Sequence, residues 1–191
     1  MGEKKSISRG CFFCKSGKEK DVIRHFMTVF PNDRAVAPTR TRYRRTKDAA
    51  IEEQVPLLPG YVFFEIQESG TPAPEILDGL LQALLDFSRS DSVLRLLRYS
   101  DSDWRLQGFD DRFAELLFNT NGNIGISQAY FDKGNRIRIL DGFLKDYEGS
   151  ITSVSRKMRT VEVCVDLQGK KVSMKLGYEL VEPLDTSKQQ A

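Results

Sequence analysis

The sequence predicts an α+β fold in two parts, a mixed N-terminal unit followed by a small all-β unit. Three observations carry that prediction. Residues 61–66, Tyr-Val-Phe-Phe-Glu-Ile, are rich in aromatic and β-branched side chains, the composition of a largely buried strand. Two stretches, residues 22–30 and 77–85, repeat apolar side chains at helical spacing, the stripe of a helix lying on a sheet. From Lys133 onward, apolar and polar residues alternate in several short runs. A length of 191 residues accommodates one ordinary domain or two small ones.

Composition narrows the function classes. No apolar run reaches the ~18 residues that a membrane-crossing helix needs. The charged start, residues 1–8, lacks the apolar core of a secretory signal. Three cysteines without dense spacing fit a reducing compartment. The expectation is a cytoplasmic protein with no membrane contact, no metal and no cofactor. The formal charge of +2 hides an uneven distribution. Residues 1–47 carry thirteen Lys/Arg against four Asp/Glu, and residues 133–183 carry ten against seven. The middle is acidic and includes Asp101, Asp103, Asp110 and Asp111. Basic stretches at both ends fit contact with nucleic acid, although solvated helix faces give similar local counts. No phosphate-binding Gly-x-x-x-x-Gly-Lys loop, His-Glu-x-x-His or Gly-x-Ser-x-Gly is present, so no catalytic residue is assigned and an enzyme is the weakest class. His25, beside Phe26 on a predicted helix, reads as structural.

Taken in order, Cys11-Phe12-Phe13-Cys14 reads as a short strand. Ser16, with Glu19 three residues on, has the form of a capping box. The helix it opens places Val22, Ile23, Phe26, Met27 and Phe30 on one face and stops at Pro31-Asn32. Cys11 and Cys14 form a C-x-x-C, but residues three apart on a strand face opposite ways. Only Cys164 and His25 remain as further ligands, where a structural zinc takes four, so both cysteines are assigned to the core. Residues 34–45 read as one strand. Alternation puts Arg40, Arg42 and Arg44 on one face, Tyr43 and Arg45 on the other. Two readings stay open for this run: an edge strand charged against edge pairing, or a strand whose arginines meet phosphate while Tyr43 stacks on a base. Residues 46–54 read as a polar connection. Pro59 and Gly60 then break the apolar run, so the chain bends there. Leu57, Leu58 and Tyr61 are thereby placed where the strand emerges, offering apolar surface at the sheet edge.

Thr71-Pro72-Ala73-Pro74 reads as a turn launching a helix that carries Leu77, Leu80, Leu81, Leu84 and Leu85. Residues 93–99 read as a strand. Phe109, Phe113, Leu116 and Leu117 mark another helix, with Asp110 and Asp111 in its first turn at the positive end of the dipole. Asn119-Thr120-Asn121-Gly122-Asn123 reads as a linker. Beyond it, Ile137 and Ile139, then Val161, Val163, Val165 and Leu167, then Val172, Met174 and Leu176 each define one apolar face. So short a unit buries only a small core, and a sheet closing on itself into a small barrel is expected.

These residues carry a resemblance. Gly134-x-x-Ile137-x-Ile139-x-x-Gly142, followed by Gly149-x-Ile151, resembles the KOW motif of transcription and ribosomal proteins. Val36-Ala37-Pro38-Thr39 with Leu58-Pro59-Gly60-Tyr61-Val62 resembles the N-terminal (NGN) domain of the NusG/Spt5 transcription elongation factors. Order, spacing and length resemble bacterial NusG over nearly the whole chain. Lys15-Ser16-Gly17-Lys18-Glu19 and Tyr130-Phe131-Asp132 are most similar to the specialised LoaP-type paralogues. The resemblance implies an NGN-type antiparallel sheet with helices in residues 1–118, a flexible linker at 119–132, a KOW (SH3-like) β-barrel at 133–184 and a tail at 185–191.

It further implies a monomeric elongation or antitermination factor that docks on bacterial RNA polymerase through Leu58, Pro59, Gly60 and Tyr61, with Phe63 beside them. Arg40, Arg42 and Arg44 would then face upstream or non-template DNA. Arg136, Arg138, Lys145, Arg156, Lys157 and Arg159 would form a patch for a nascent RNA hairpin, unless Asp141, Asp146 and Glu148 leave that face merely solvated. Phe143 and Leu144 match the exposed apolar loop that the family uses for partners. The chain departs from the pattern in two places. Leu58 stands where the family often has an aromatic, and Arg9-Gly10-Cys11 stands where the first strand often carries one. Two alternatives stand beside this: a stand-alone RNA-binding or ribosome-associated KOW protein, which gives Leu58–Tyr61 no role, and a housekeeping NusG coupling to Rho or ribosomal protein S10.

Overall fold

A computed structural model of the chain describes residues 6–45, 50–68, 75–76, 78–80, 82, 95–100, 103–167 and 169–182. The chain divides into two compact units. The first comprises Met1–Thr39, Pro56–Asn123 and Asp166–Lys170; the second comprises Arg40–Val55, Ile124–Val165 and Lys171–Ala191.

The first unit is organised on strand β5 (Tyr61–Glu68), which pairs antiparallel with β1 (Ser6–Phe13) on one side and β2 (Arg34–Val36) on the other. A two-residue strand β6 (Arg95–Leu96) adds to the far side of β1, giving the order β2-β5-β1-β6. All five residues from Val62 to Ile66 are buried, so both faces of β5 are covered. On one face, Val62, Phe64 and Ile66 pack with Phe12, Cys14 and Trp104 against Val22 and Phe26 of helix α1 (Glu19–Val29). Phe64 lies at the centre of that cluster, with ring centroids 4.6 Å from Phe12, 5.2 Å from Phe26 and 5.5 Å from Trp104. Each such ring withdrawn from water contributes roughly 1.5–3 kcal/mol. On the other face, Phe63 meets Phe113 of helix α2 (Gly108–Asn119) edge to face at 5.5 Å.

That second face also holds charge. Glu65 accepts from Arg34 at 2.6 Å, and Arg9, beside it in β1, reaches Asp111 of α2 at 3.0 Å. Asp110, one residue earlier, accepts from the Tyr99 hydroxyl. The acids expected to serve the α2 dipole therefore also hold the helix to its neighbours by side-chain bonds.

The second unit contains a five-stranded sheet of β8 (Ser127–Phe131), β9 (Ile137–Asp141), β10 (Ile151–Ser155), β11 (Thr160–Leu167) and β12 (Lys170–Leu180), in the order β10-β11-β12-β8-β9. β8 and β9 are antiparallel, as are β10 and β11, whereas β12 and β8 run parallel. The predicted alternation is met: Val161, Val163, Val165, Leu167, Met174, Leu176 and Ile139 are all buried. A 3-10 helix, Phe143–Ser150, follows β9. A three-stranded sheet, β4-β3-β7, is built from β3 (Thr39–Arg45), β4 (Ala50–Pro56) and β7 (Asn123–Ile124).

Several expectations are corrected. The predicted strand over residues 34–45 is two strands, interrupted at Ala37-Pro38, where proline restricts the residue before it and lacks a donor. The predicted polar connection over residues 46–54 contains most of β4; its polar composition disguised a paired strand. Within the predicted linker, where the boundary between the units falls at Asn123–Ile124, Gly122 N–H donates to Leu117 and Gly122 C=O accepts from Thr39, and residues 123–124 and 127–131 are strands β7 and β8. Ser16 does not cap α1, whose N-cap is Lys18 with no side-chain bond. Within the second predicted helix, Leu80 is described and buried, while Leu77, Leu81, Leu84 and Leu85 lie outside the described residues, as do Thr71–Pro74, Asp101, Gln168 and residues 183–191.

The Arg9-Gly10-Cys11 departure has a packing reason. Gly10 pairs with Phe64 across the β1–β5 ladder, and a β-carbon at Gly10 would stand 2.2 Å from Phe64 Cζ. The glycine makes room for the ring that the core is built around. Gly10→Ala is expected to lower stability by about 1–3 kcal/mol through overpacking, measured by denaturant titration. Gly10→Ala/Phe64→Leu should recover part of the loss. A fully stable Gly10→Ala protein would contradict the assigned packing.

Candidate nucleic-acid interface

Two regions hold the residues singled out in the sequence. The first is the bend at Pro59-Gly60. Gly60 adopts φ +87°, and a β-carbon there would approach the Cys14 carbonyl oxygen to 2.7 Å, so a side chain is excluded twice over. Gly60 C=O accepts from Cys14 N at 2.7 Å, and Gly60 N–H donates to the Glu19 carboxylate at 2.6 Å. Glu19 thus ties the bend to the start of α1. Burial alone would raise the Glu19 carboxyl, but the backbone N–H groups of Glu19, Gly60 and Gly17 outweigh it and hold its pKa below the ordinary value.

Of the five residues assigned to polymerase docking, only Pro59 and Tyr61 present side chains to solvent. Leu58 is 4 % exposed and Phe63 fully buried, which corrects the expected apolar patch. Leu57 N–H, donating to Pro38, draws this segment inward, and Phe63 is committed to Phe113. Tyr61 is half-buried, packed edge to face on Phe13 at 5.1 Å, and the Arg95 guanidinium lies 5.4 Å above the Phe13 ring. Pro59, Tyr61, Phe13 and Arg95 therefore replace the predicted set as the accessible surface near the bend. Cys11 and Cys14 are core residues; burial, then the charge of Glu19, pushes the Cys14 thiol up to about 11. Among the described residues no group of three His, Cys, Asp or Glu could hold a metal, and no helix is long and apolar enough to cross a membrane.

The second region lies in the second unit. A concavity of about 290 Å³ is bounded by Arg40, Arg42 and Tyr43 of β3, by Arg159 in the β10–β11 turn, and by Lys175 and Tyr178 of β12. Gly177 permits the approach of β12 to β3: a β-carbon there would meet Ile126 at 3.3 Å and the Thr41 carbonyl oxygen at 3.4 Å. Arg159 holds φ +49°, unusual for a non-glycine residue, and its carbonyl accepts from Tyr178 N–H at 2.9 Å. Burial, and then the charge of Arg42, lowers the Arg40 pKa. Glu162 also borders the concavity, but its two carboxylate oxygens accept from Ser173 at 2.7 Å and Ser153 at 3.2 Å.

The arginine run is only partly free. Glu53 of β4 accepts from Arg42 at 2.5 Å and lies 3.3 Å from Arg44, so one carboxylate serves two guanidiniums. β3 is not an edge strand, since β4 and β7 flank it. The predicted RNA patch is dispersed. Arg138 is held by Asp132 and Glu148, each at 3.1 Å. Arg156 lies 4.1 Å over the Phe131 ring and donates to Asn135, while Arg159 borders the concavity. Arg136, Lys145 and Lys157 are exposed. The expected apolar loop is corrected too: Leu144 is fully buried, its N–H on Ser127 Oγ at 3.1 Å, and Phe143 is half-buried, stacked on Tyr147 at 4.7 Å. Sequence reasoning did not single out Lys175 and Tyr178. Gly177 inside an alternating strand, a mark of close backbone approach, was the available signal.

The sequence matches no family model and no curated protein. Among solved structures, one described as "Domain interaction in Thermotoga maritima NusG" is similar at 16 % identity, over 90 % of this chain and 94 % of that chain, with a TM-score of 0.40.

Glu19 sets a pH dependence. Its folded pKa lies below the unfolded value, so its contribution to stability is complete above the unfolded pKa of ~4.3 and is lost as pH falls through the folded pKa. Glu19→Gln is expected to flatten that part of the acid limb in thermal melts between about pH 3 and 6 while leaving the Lys18–Asp21 pair intact. An unchanged acid limb would remove the carboxylate from its assigned role.

Proposed function

We propose that the protein is a transcription elongation factor of the NusG type. Its first unit would be an NGN-type domain docking on bacterial RNA polymerase, and β8–β12 would form the KOW barrel. The sequence motifs at residues 36–39, 58–62 and 134–151 support the family reading. The single observation that carries nucleic-acid contact is the convergence of Arg40 and Arg42 with Arg159 and Lys175 on one concave surface. Arg40, Arg159 and Lys175, beside an Arg42 shared with Glu53, outnumber Glu162, the one acid among the lining residues, and give the groove a positive balance suited to a nucleic-acid backbone. Tyr43, 42 % exposed at its rim, offers a face for a base. The specialised, RNA-recruited form of such a factor is the finer reading, favoured because the basic groove draws on β3 and the β10–β11 turn together.

The polymerase contact, on this proposal, is made by Tyr61 and Pro59 with Phe13 and Arg95 around them. Tyr61→Ala is expected to stay folded by circular dichroism, to lose roughly tenfold or more in capture of RNA polymerase, and to lose its effect on transcription through a terminator in vitro. Unchanged capture by the folded variant would remove Tyr61 from the docking surface.

The groove is tested separately by salt. With short single-stranded oligonucleotides, changing Arg40, Arg42 and Arg159 together to Ser should reduce the slope of log affinity against log salt by about 0.7 for each phosphate that the variant no longer neutralises. A wild-type slope in the triple variant would return these arginines to a purely structural role.

A further inference from the structure

A second concavity, of about 440 Å³, lies in the first unit beside Tyr61. Phe13 and Tyr61, packed edge to face, give it an aromatic floor, and Leu96 and Leu97 extend the apolar lining. Arg95, Arg98 and Lys170, all exposed, line it too, and among the described residues no Asp or Glu does. Asp110, which accepts from the Tyr99 hydroxyl, is buried and stands outside the lining. The charge at Arg95 is held in place without being neutralised. β6 pairs with β1 so that Arg95 stands opposite Phe13, and its guanidinium lies 5.4 Å over that ring. A ring orients a cation but carries no net charge to cancel it. Arg9, Arg24, Arg34 and Arg105 of the same unit each face a carboxylate; Arg95 faces none among the described residues. The backbone behind it is fixed as well: Leu97 N–H donates to the Cys11 carbonyl at 2.8 Å and Tyr99 N–H to the Asp103 carbonyl at 2.9 Å. A cleft with apolar walls and one sign of charge focuses its field on whatever enters.

We propose that this concavity receives an acidic segment of the protein partner, with an apolar side chain seated against Phe13 and Tyr61 and carboxylates meeting Arg95 and Arg98. This occupant presupposes the proposed polymerase docking at Tyr61 and adds to it the chemistry of the docked segment. Nucleic acid is anionic too, but it fits the lining less well. Arg95 already covers one face of the Phe13 ring, and Tyr61 meets that ring at 72° rather than parallel, so the pair offers no open slot for a base. Leu96 and Leu97 favour side-chain methyl groups over a phosphate backbone. Apolar contact then supplies most of the affinity, while the cations set the rate of encounter and the choice of partner.

Capture of purified bacterial RNA polymerase by the full chain, measured across a salt series, tests the occupant. Arg95→Glu/Arg98→Glu is compared with Lys20→Glu/Arg24→Glu, which makes the same change of net charge at exposed positions of α1. The pocket variant, folded by circular dichroism, should bind roughly tenfold or more weakly at low salt, and the deficit should shrink as salt screens it. The α1 variant should stay near wild type. Equal losses in the two variants, or a pocket variant that binds like wild type, would overturn the acidic segment; if Tyr61→Ala still loses capture in that case, the docking surface stands without it. Two amphipathic peptides, one with Glu and one with Lys at every polar position, and a single-stranded oligonucleotide are titrated alongside. Preference for the Glu peptide, lost in the pocket variant, supports the acidic occupant even where the wild-type chain captures no polymerase, a result that refutes the docking reading alone. No preference between the peptides, or oligonucleotide binding that falls in the pocket variant only, would overturn it.

Discussion

Five consecutive buried residues on one strand impose the architecture of the first unit. From Val62 to Ile66 every side chain is withdrawn from water, and because successive residues point to opposite faces, no single layer can cover them. One face is closed by aromatic packing around Phe64 and α1. The other is closed by α2, through Phe63 and a set of partly buried ion pairs centred on Glu65 and Arg9. The two faces differ in kind. The first is stabilised by apolar area; the second depends on charges that are tolerable inside only because each has an opposite partner. At 3.6 Å, Arg9 Nε faces Glu65 without forming a hydrogen bond to it, so the bond to Asp111 is what satisfies this guanidinium best.

Much of this was legible in the sequence, and the failures share a cause. The composition of residues 61–66 announced a buried strand, the 3.6-residue spacing of Val22 and Phe26 announced a helix, and the period-two runs of β11 and β12 announced a sheet, because each pattern follows directly from which side faces water. β4 was missed because Ile51 and its neighbours are mostly exposed, so burial wrote no pattern there. The loop assigned to partner binding was misplaced for the converse reason: Leu144 is apolar because it is core, and sequence alone does not distinguish an exposed anchor from a buried one. The same ambiguity moved Leu58 and Phe63 from the expected surface into the interior. Of the proposed groove, the arginines of β3 were readable from local spacing, whereas Tyr178 and Lys175 enter through a long-range approach of β12 to β3 that local sequence marks at Gly177 alone.

The groove also shows why the count of cations is a poor guide to an interface. Arg138 is as basic as Arg40, yet Asp132 and Glu148 occupy it, and an exposed pair of that kind has little left to offer an incoming anion. Arg156 is spread over an aromatic ring. What distinguishes Arg40 is that burial strips its water while no acceptor for Nη1 stands among the described residues.

The second unit is assembled from pieces far apart in the chain, and this gives its formation an order in time. Residues 40–55 leave the ribosome well before β12, which supplies Tyr178 and Lys175, has been made. At about 5–20 residues per second the wait is on the order of ten seconds, long compared with the microseconds a hairpin needs to close. During that interval β3 and β4 exist without the strands that complete their unit. Glu53 belongs to that same early segment, so the carboxylate that serves Arg42 and Arg44 in the folded chain is made together with them.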